Sequence, residues 1–307
     1  MRASSRASTV RRLLFPNKLS SAGSILVMVF VVLAVSYWAT GGAIAPYNPS
    51  TPNLGASNLP PNLVHPFGTD FLGRDIFSRV LAALPTDLSI AIFVVILSAL
   101  IGIVLGTVAG YVGGLVEEVI MRLSDLFLAF PGLIMALAVA ATLGSSLLNA
   151  AISLTFVWWP SYVRLVRGGV LAIKAEDFVA ASKALNSSFP YILRKGIFPN
   201  VLPSILVYAS LDVGTALLSL SALGYLGVGI PAGAPELGNM VSSIGYNLFT
   251  YPWEALLPSF VVLLIVAGFS LFGDGIREAG DVKIQSHTVI KRRLLGDRVG
   301  SQTEAAP

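Results

Sequence analysis

Cysteine is absent from the 307-residue chain, which excludes disulfides, thiolate metal sites and cysteine nucleophiles together. Histidine occurs only twice, at His65 and His287, and the Gly-Lys pair of a phosphate-binding loop does not occur. No Ser/His/Asp set and no metal-ligand cluster can be assembled from that inventory, so covalent catalysis by this chain is not expected. If ATP powers its work, another chain must bind the ATP. Charge is scarce as well: Asp, Glu, Lys and Arg make up 12% of the residues, where a soluble domain carries about 25%.

What fills the space is apolar. Hydrophobic residues make up 55% of the chain and the mean hydropathy is +0.79, pointing to lipid as the main solvent. A helix needs about 20 apolar residues to cross a bilayer core. Six stretches qualify, at roughly 21–45, 86–112, 120–143, 147–171, 199–226 and 254–276. The first follows Arg2, Arg6, Arg11, Arg12 and Lys18 and is too long for a signal-peptide core, so it reads as a retained signal anchor. Arg164 and Arg167, late in the fourth stretch, are expected to snorkel to the interface or lie just beyond it.

The positive-inside rule orients these spans. With the N-terminus in the cytoplasm, all but Arg74 and Arg79 of the twenty Lys and Arg fall on or near the inner side. The expected fold is therefore an all-α integral membrane protein with six transmembrane helices and both termini cytoplasmic. It divides into a basic N-terminus over 1–20, a first helix over 21–45, an external loop over 46–85, a five-helix core over 86–280 and a disordered tail over 281–307. The external loop starts proline-rich. Its end carries the i,i+4 pairs Asp70/Arg74 and Asp75/Arg79, which predict a short interfacial helix from about Asp70 in a solvated, salt-bridged elbow.

Between the fourth and fifth spans lies a polar segment, 174–199. Phe178, Ala181, Leu185, Phe189 and Ile192 recur at spacings of three and four and predict one apolar helical stripe. Glu176, Asp177, Lys183, Arg194 and Lys195 occupy other faces. Asn186-Ser187-Ser188 interrupts the pattern, and Ser188 before Phe189-Pro190 predicts an N-cap. A short helix, a turn and a second short helix result, offering an apolar ridge to a partner.

Inside the membrane, Gly102, Gly106, Gly110 and Gly114 recur every four residues in the second span. Such a face permits close helix approach, either within the bundle or against a second subunit or moving helix. Arg122/Asp125 and Asp274/Arg277 are candidate i,i+3 pairs at span ends. Asp212 sits near the middle of the fifth span, where a carboxylate must face a wet cavity, a partner or its own protonated state. A pathway-lining role and a buried structural hydrogen bond both fit it. So few ionisable groups argue against a proton- or sodium-coupled carrier, which remains an alternative beside a non-transporting membrane scaffold.

Several motifs in this order resemble one family. They are His65-Pro66-Phe67-Gly68-Thr69-Asp70-Phe71-Leu72-Gly73-Arg74-Asp75, Met121-Arg122-Leu123-Ser124-Asp125 leading to Ala129-Phe130-Pro131-Gly132, Leu226-Gly227-Val228-Gly229, Gly238-Asn239-Met240 and Gly273-Asp274-Gly275-Ile276-Arg277. From about Asn17 to Asp281 the chain resembles the ABC importer permeases of the dipeptide/oligopeptide/nickel type, in the form of the second permease of a heteromeric pair. The resemblance implies a sister permease, one or two ATPase subunits that bind ATP and Mg²⁺, an extracellular substrate-binding protein and a bacterial or archaeal plasma membrane. It implies no cofactor in this chain and no nucleic acid partner. Peptides, nickel or oligosaccharides are the substrates it implies. In that family the 174–199 segment couples to the ATPase through a Glu-Ala-Ala motif followed by glycine. Here Ala180-Ala181-Ser182 replaces the former and Asn186 the latter. Asn tolerates a left-handed turn, and Glu176 and Asp177 stand one turn earlier. The coupling residues so implied are Glu176, Asp177, Phe178, Ala181, Lys183, Leu185 and Asn186.

Overall fold

The computed structural model describes residues 17–228, 231, 233–242 and 248–303, with side chains through Glu278. The basic run Arg2–Arg12 lies outside the described residues, as do the side chains of the tail. Among the described residues the regular elements are all helical.

Helix α1, Lys18–Ala39, starts where the Asn17 side chain accepts the Ser20 N–H at 2.7 Å. Helix α2, Ile76–Val112, starts at Asp75, whose Oδ2 accepts both the N–H and the hydroxyl of Ser78 at 2.7 Å. The helix expected from Asp70 therefore begins six residues later and is continuous with the second span. Asp70 instead bonds the Arg74 N–H and Nε within a loop. At 37 residues α2 runs about 55 Å, longer than the ~30 Å hydrocarbon core that a single crossing needs.

The third expected span is broken. Helices α3, Gly114–Leu128, and α4, Gly132–Leu143, meet at 88°. Pro131 has no N–H to continue α3 and disfavours helical geometry at Phe130, which forces the bend. Helix α5 covers Leu147–Lys174, α6 Asp177–Ala184 and α7 Phe189–Ile192. A single π turn, Leu193–Ile197, joins α7 to α8, Phe198–Tyr225. The second hairpin helix is thus the first turn of the next long helix rather than a separate piece. Helices α9, Leu237–Ser242, and α10, Trp253–Thr303, complete the order; the tail expected to be disordered from 281 lies at the end of α10, without described side chains.

Among the described residues four helical runs are long and apolar enough to cross a membrane: α1, α2, Phe189–Tyr225 and the Trp253–Glu278 part of α10. The bent α3–α4 pair makes a fifth if it crosses as one. Helix α5 falls outside this set, its apolar run diluted by Asn149, Pro160, Arg164 and Arg167. It is instead deeply packed, pairing most extensively with α2. Helix α10 packs on α8 and α1, and glycines carry these contacts too: a Cβ at Gly23 of α1 would lie 2.7 Å from the Phe272 backbone. Lipid tails are as apolar as leucine, so close van der Waals packing rather than burial from water holds such helices together.

Two ends of the bundle follow. At one, the 46–75 loop meets 231–242: Arg79 donates to the carbonyls of Pro49 and Gly233 at 2.8 and 3.3 Å. At the other, α5 ends against the last turn of α2, and α6 and α7 hang beside them.

Candidate functional site

The α6–α7 hairpin is built from a buried anchor and an exposed ridge. Val179 of α6 is fully buried and Ile192 of α7 nearly so. Phe178 is 44% exposed, Leu185 82%, and Phe189 and Tyr191 are exposed too. The single stripe expected over five residues therefore splits, because the turn after α6 resets the helical phase. Ile192 faces inward, while Phe178, Ala181, Leu185 and Phe189 face out. The turn itself rests on Asn186, in the left-handed region at φ 56°. Its N–H bonds the Lys183 carbonyl at 2.9 Å and the Ser187 N–H bonds the Ser182 carbonyl at 3.0 Å. That double bond pattern closes a helix around a left-handed residue, most often glycine. Ser188 occupies the next N-cap position, but its side chain makes no capping bond. Glu176 and Asp177 are exposed and form no ion pair among the described residues. Lys183 lies over the Tyr111 ring at 5.6 Å.

The glycine face of α2 lies against α5. A Cβ at Gly102 would fall inside the Tyr162 side chain, at Gly106 2.7 Å from the Val163 carbonyl, and at Gly110 2.9 Å from Val170. These three close the helix pair within the bundle. Gly114 lies past the α2 terminus, at φ 59° with open space around it, and takes no part.

Asp212 is buried on α8 and accepts two hydrogen bonds from α5. Trp158 Nε1 donates to Oδ1 and the Tyr162 hydroxyl to Oδ2, both at 3.0 Å. Tyr162 thus touches Gly102 with its Cβ and Asp212 with its hydroxyl, and its ring meets Tyr208 edge-on at 5.0 Å. Neither Trp158 nor Tyr162 stood out in the sequence. A spacing of four marks them as one face of α5, but nothing local names Asp212 as their acceptor.

Asp125, Arg164, Arg167 and Glu117 pair between α3 and α5 rather than along a helix. Asp125 pairs with Arg164 of α5 at 2.6 Å instead of with Arg122, which stands 3.8 Å from exposed Glu118. Arg167 bonds Glu117 through Nε at 2.6 Å. Both arginines therefore reach α3 carboxylates rather than merely snorkelling. The elbow near Asp70 is buried, not solvated. Asp70 and Arg74 pair at 2.7 Å with both side chains nearly inaccessible, Arg79 approaches Asp70 at 3.8 Å rather than Asp75, and Asp75 bonds His65 Nδ1 at 2.9 Å. Burial pushes the Glu236 carboxyl, just before α9, up to about 7, although it accepts the N–H groups of Gly238 and Asn239. Among the described residues no group of three or more His, Asp or Glu is arranged to hold a metal ion.

Residues 102–285 match the family described as "Binding-protein-dependent transport system inner membrane component". Over 271 residues the chain is 39% identical to the dipeptide transport system permease protein DppC of Alkalihalophilus pseudofirmus, covering 88% of each. It is 36% identical over 269 residues, 86% of each, to the glutathione transport system permease protein GsiD of Escherichia coli. Among solved structures, the inward-facing MetNI methionine ABC transporter matches with a TM-score of 0.49 at 19% identity, covering 62% of this chain and 94% of that one.

Proposed function

The chain belongs to the binding-protein-dependent transport system inner membrane components, and from that premise we propose that it is one of two permeases of an ATP-driven importer of short peptides. The substrate class rests on relatives named for dipeptide and glutathione transport.

In this reading the six passes are α1, α2, the bent α3–α4 pair, α5, α7–α8 and α10. Both termini and the α6–α7 hairpin lie in the cytoplasm; the 46–75 loop and the 231–242 segment lie outside. Contacts of Arg79 with Gly233, and of Lys174 with the end of α2, agree with that sidedness. ATP and Mg²⁺ bind to separate ATPase subunits, and an external binding protein delivers peptide to the outer end. A sister permease completes the pathway.

The observation that carries the reading is the exposed apolar ridge of Phe178 and Leu185 on a hairpin pinned by Val179 and Ile192. An ATPase groove would cover that ridge, with Ala181 allowing close approach and Glu176, Asp177 and Lys183 as its polar rim. Binding of ATP closes the ATPases and moves the hairpin as a lever, alternating the spans between inward- and outward-open forms. Co-purification tests it. Phe178→Asp and Leu185→Asp proteins are expected to fold but lose their ATPase subunits, and retention at wild-type stoichiometry would sink the docking assignment.

A further inference from the structure

Tyr111, in the last turn of α2, is held by three different segments at once. Phe189 of α7 lies against its ring, with centroids 4.4 Å apart and planes tilted by 50°. Lys183 of α6 places its ammonium 5.6 Å from the ring centre, and Lys174, the last residue of α5, does the same. Lys174 also donates to the Tyr111 carbonyl at 2.6 Å and the Gly110 carbonyl at 3.4 Å. Those carbonyls belong to the open C-terminal end of α2, where no further turn supplies donors and a cation is favoured.

The same helix is locked onto α5 from the residue just before Tyr111 backwards. Gly110 stands against Val170, Gly106 against Val163 and Val166, and Gly102 against Tyr162. A glycine seam without intervening side chains leaves no slack between α2 and α5. The hairpin, by contrast, meets the end of α2 through the aromatic ring of Tyr111: Phe189 presses on it from α7 and Lys183 caps it from α6.

We propose that Tyr111 is the positioning residue through which movement of the docked hairpin passes to the α2–α5 pair. The inference rests on the hairpin being the ATPase-docking element. Lys183 and Phe189 move with the hairpin, whereas Lys174 and the Tyr111 backbone move with the seam. The ring meets both hairpin helices, through Lys183 and Phe189, and its hydroxyl is not required for either contact.

The test uses the whole complex in proteoliposomes: this chain, its sister permease, the ATPases and the binding protein. The reading is the factor by which binding protein stimulates ATP hydrolysis, a signal that must cross from the outer end to the ATPases. Tyr111→Leu, which keeps apolar bulk but removes the π face, and Tyr111→Ala are expected to retain bound ATPases while that factor falls about 3- to 30-fold. Tyr111→Phe should restore the wild-type factor, which a loss of general packing would not predict. Wild-type stimulation in Tyr111→Leu overturns the assignment, as does a Tyr111→Phe protein as impaired as Tyr111→Leu. Loss of ATPases from both Tyr111→Leu and Tyr111→Ala would make the residue part of the docking structure and overturn it too. Phe178→Asp, measured in parallel, separates the two ideas: retained ATPases there refute the docking surface, whatever Tyr111 does.

Discussion

Asp87 and Glu236 accept hydrogen bonds from consecutive backbone N–H groups. Asp87 Oδ2 takes Leu237 at 3.1 Å, and the two Glu236 oxygens take Gly238 at 2.9 Å and Asn239 at 2.6 Å. Both side chains are fully buried. Asp87 ties Leu237 to α2 while Glu236 closes the turn that opens α9, and Gly238 lies so close to the Ser221 backbone that no side chain fits.

That clamp should respond to pH. Burial raises the Glu236 carboxyl from its ordinary 4.5 to about 7, so the folded state binds a proton more tightly than the unfolded chain does. Its contribution is fully present below 4.5 and is lost as pH rises through about 7. Hydrogen exchange of the 237–239 amides, corrected for intrinsic rates, should therefore show more protection at about pH 5 than at about pH 8. Glu236→Gln should flatten that dependence. It also sets an amide NH₂ against a backbone donor and should cost about 1 kcal/mol at acid pH. Protection that rises with pH would refute the clamp.

The glycine seam makes a graded prediction. Alanine at Gly102, Gly106 or Gly110 forces α2 away from α5, since each Cβ would sit under 3.0 Å from Tyr162, the Val163 carbonyl or Val170. Each should cost about 1–3 kcal/mol, with Gly102→Ala the most severe. Gly168 of α5 has nothing within 4 Å of its virtual Cβ, so Gly168→Ala should be neutral or stabilise by up to about 1 kcal/mol. Thermal midpoints in detergent give the order. Equal midpoints for Gly102→Ala and Gly168→Ala would mean that the seam is not closely packed.

Asp212 separates structure from transport. Asp212→Ala leaves the Trp158 N–H and the Tyr162 hydroxyl without an acceptor and should cost about 2–3 kcal/mol. Tyr162→Phe made together with Asp212→Ala should cost less than the two apart, since the orphaned hydroxyl is gone. Asp212→Asn keeps one carbonyl oxygen and should fold. Peptide uptake by that protein then decides the role: wild-type uptake makes the carboxylate a packing group, and a loss at normal abundance places it on the pathway.

The helix starts were only partly legible: Asn17, Asp75 and Ser146 are capping residue types before apolar runs and each makes its capping bond, but a count of apolar residues passes over them, and Ser188, the cap that the sequence predicts, makes none. The motifs around Asp70 and Pro131 placed the chain in its family before any coordinate did. Spacing misled wherever a charge had a distant partner. Asp125 and Arg122 stand three apart, yet Asp125 reaches Arg164 across the bundle. Asp87 and Leu237 are 150 positions apart, and neither sequence context hints at the other. The Asp70–Arg74 spacing of four suggested a helix, but Gly73, at φ 74°, turns that stretch into a loop. Pro131 stood in plain view inside the expected third span. A count of apolar residues spreads over such a break, and only the backbone geometry registers it.

The turn at Asn186 tests whether the hairpin shape matters apart from its apolar ridge. At φ 56° a β-carbon crowds the following carbonyl, and asparagine tolerates this better than most residues. Asn186→Gly removes the strain and should change stability by no more than a few tenths of a kcal/mol, in the favourable direction. Asn186→Val cannot adopt the conformation easily and should cost about 1–2 kcal/mol, loosening the bonds from Asn186 to Lys183 and from Ser187 to Ser182. Leu185, immediately before the turn, would then lose its fixed bearing relative to Phe178 although both side chains remain. Titration of purified ATPase onto the two variants reads the outcome. Asn186→Gly should bind like wild type, and Asn186→Val should bind more weakly by about fivefold or more. Equal affinity for Asn186→Val would mean that the ATPase recognises the apolar side chains whatever the angle between them, and the left-handed turn would then be incidental to docking.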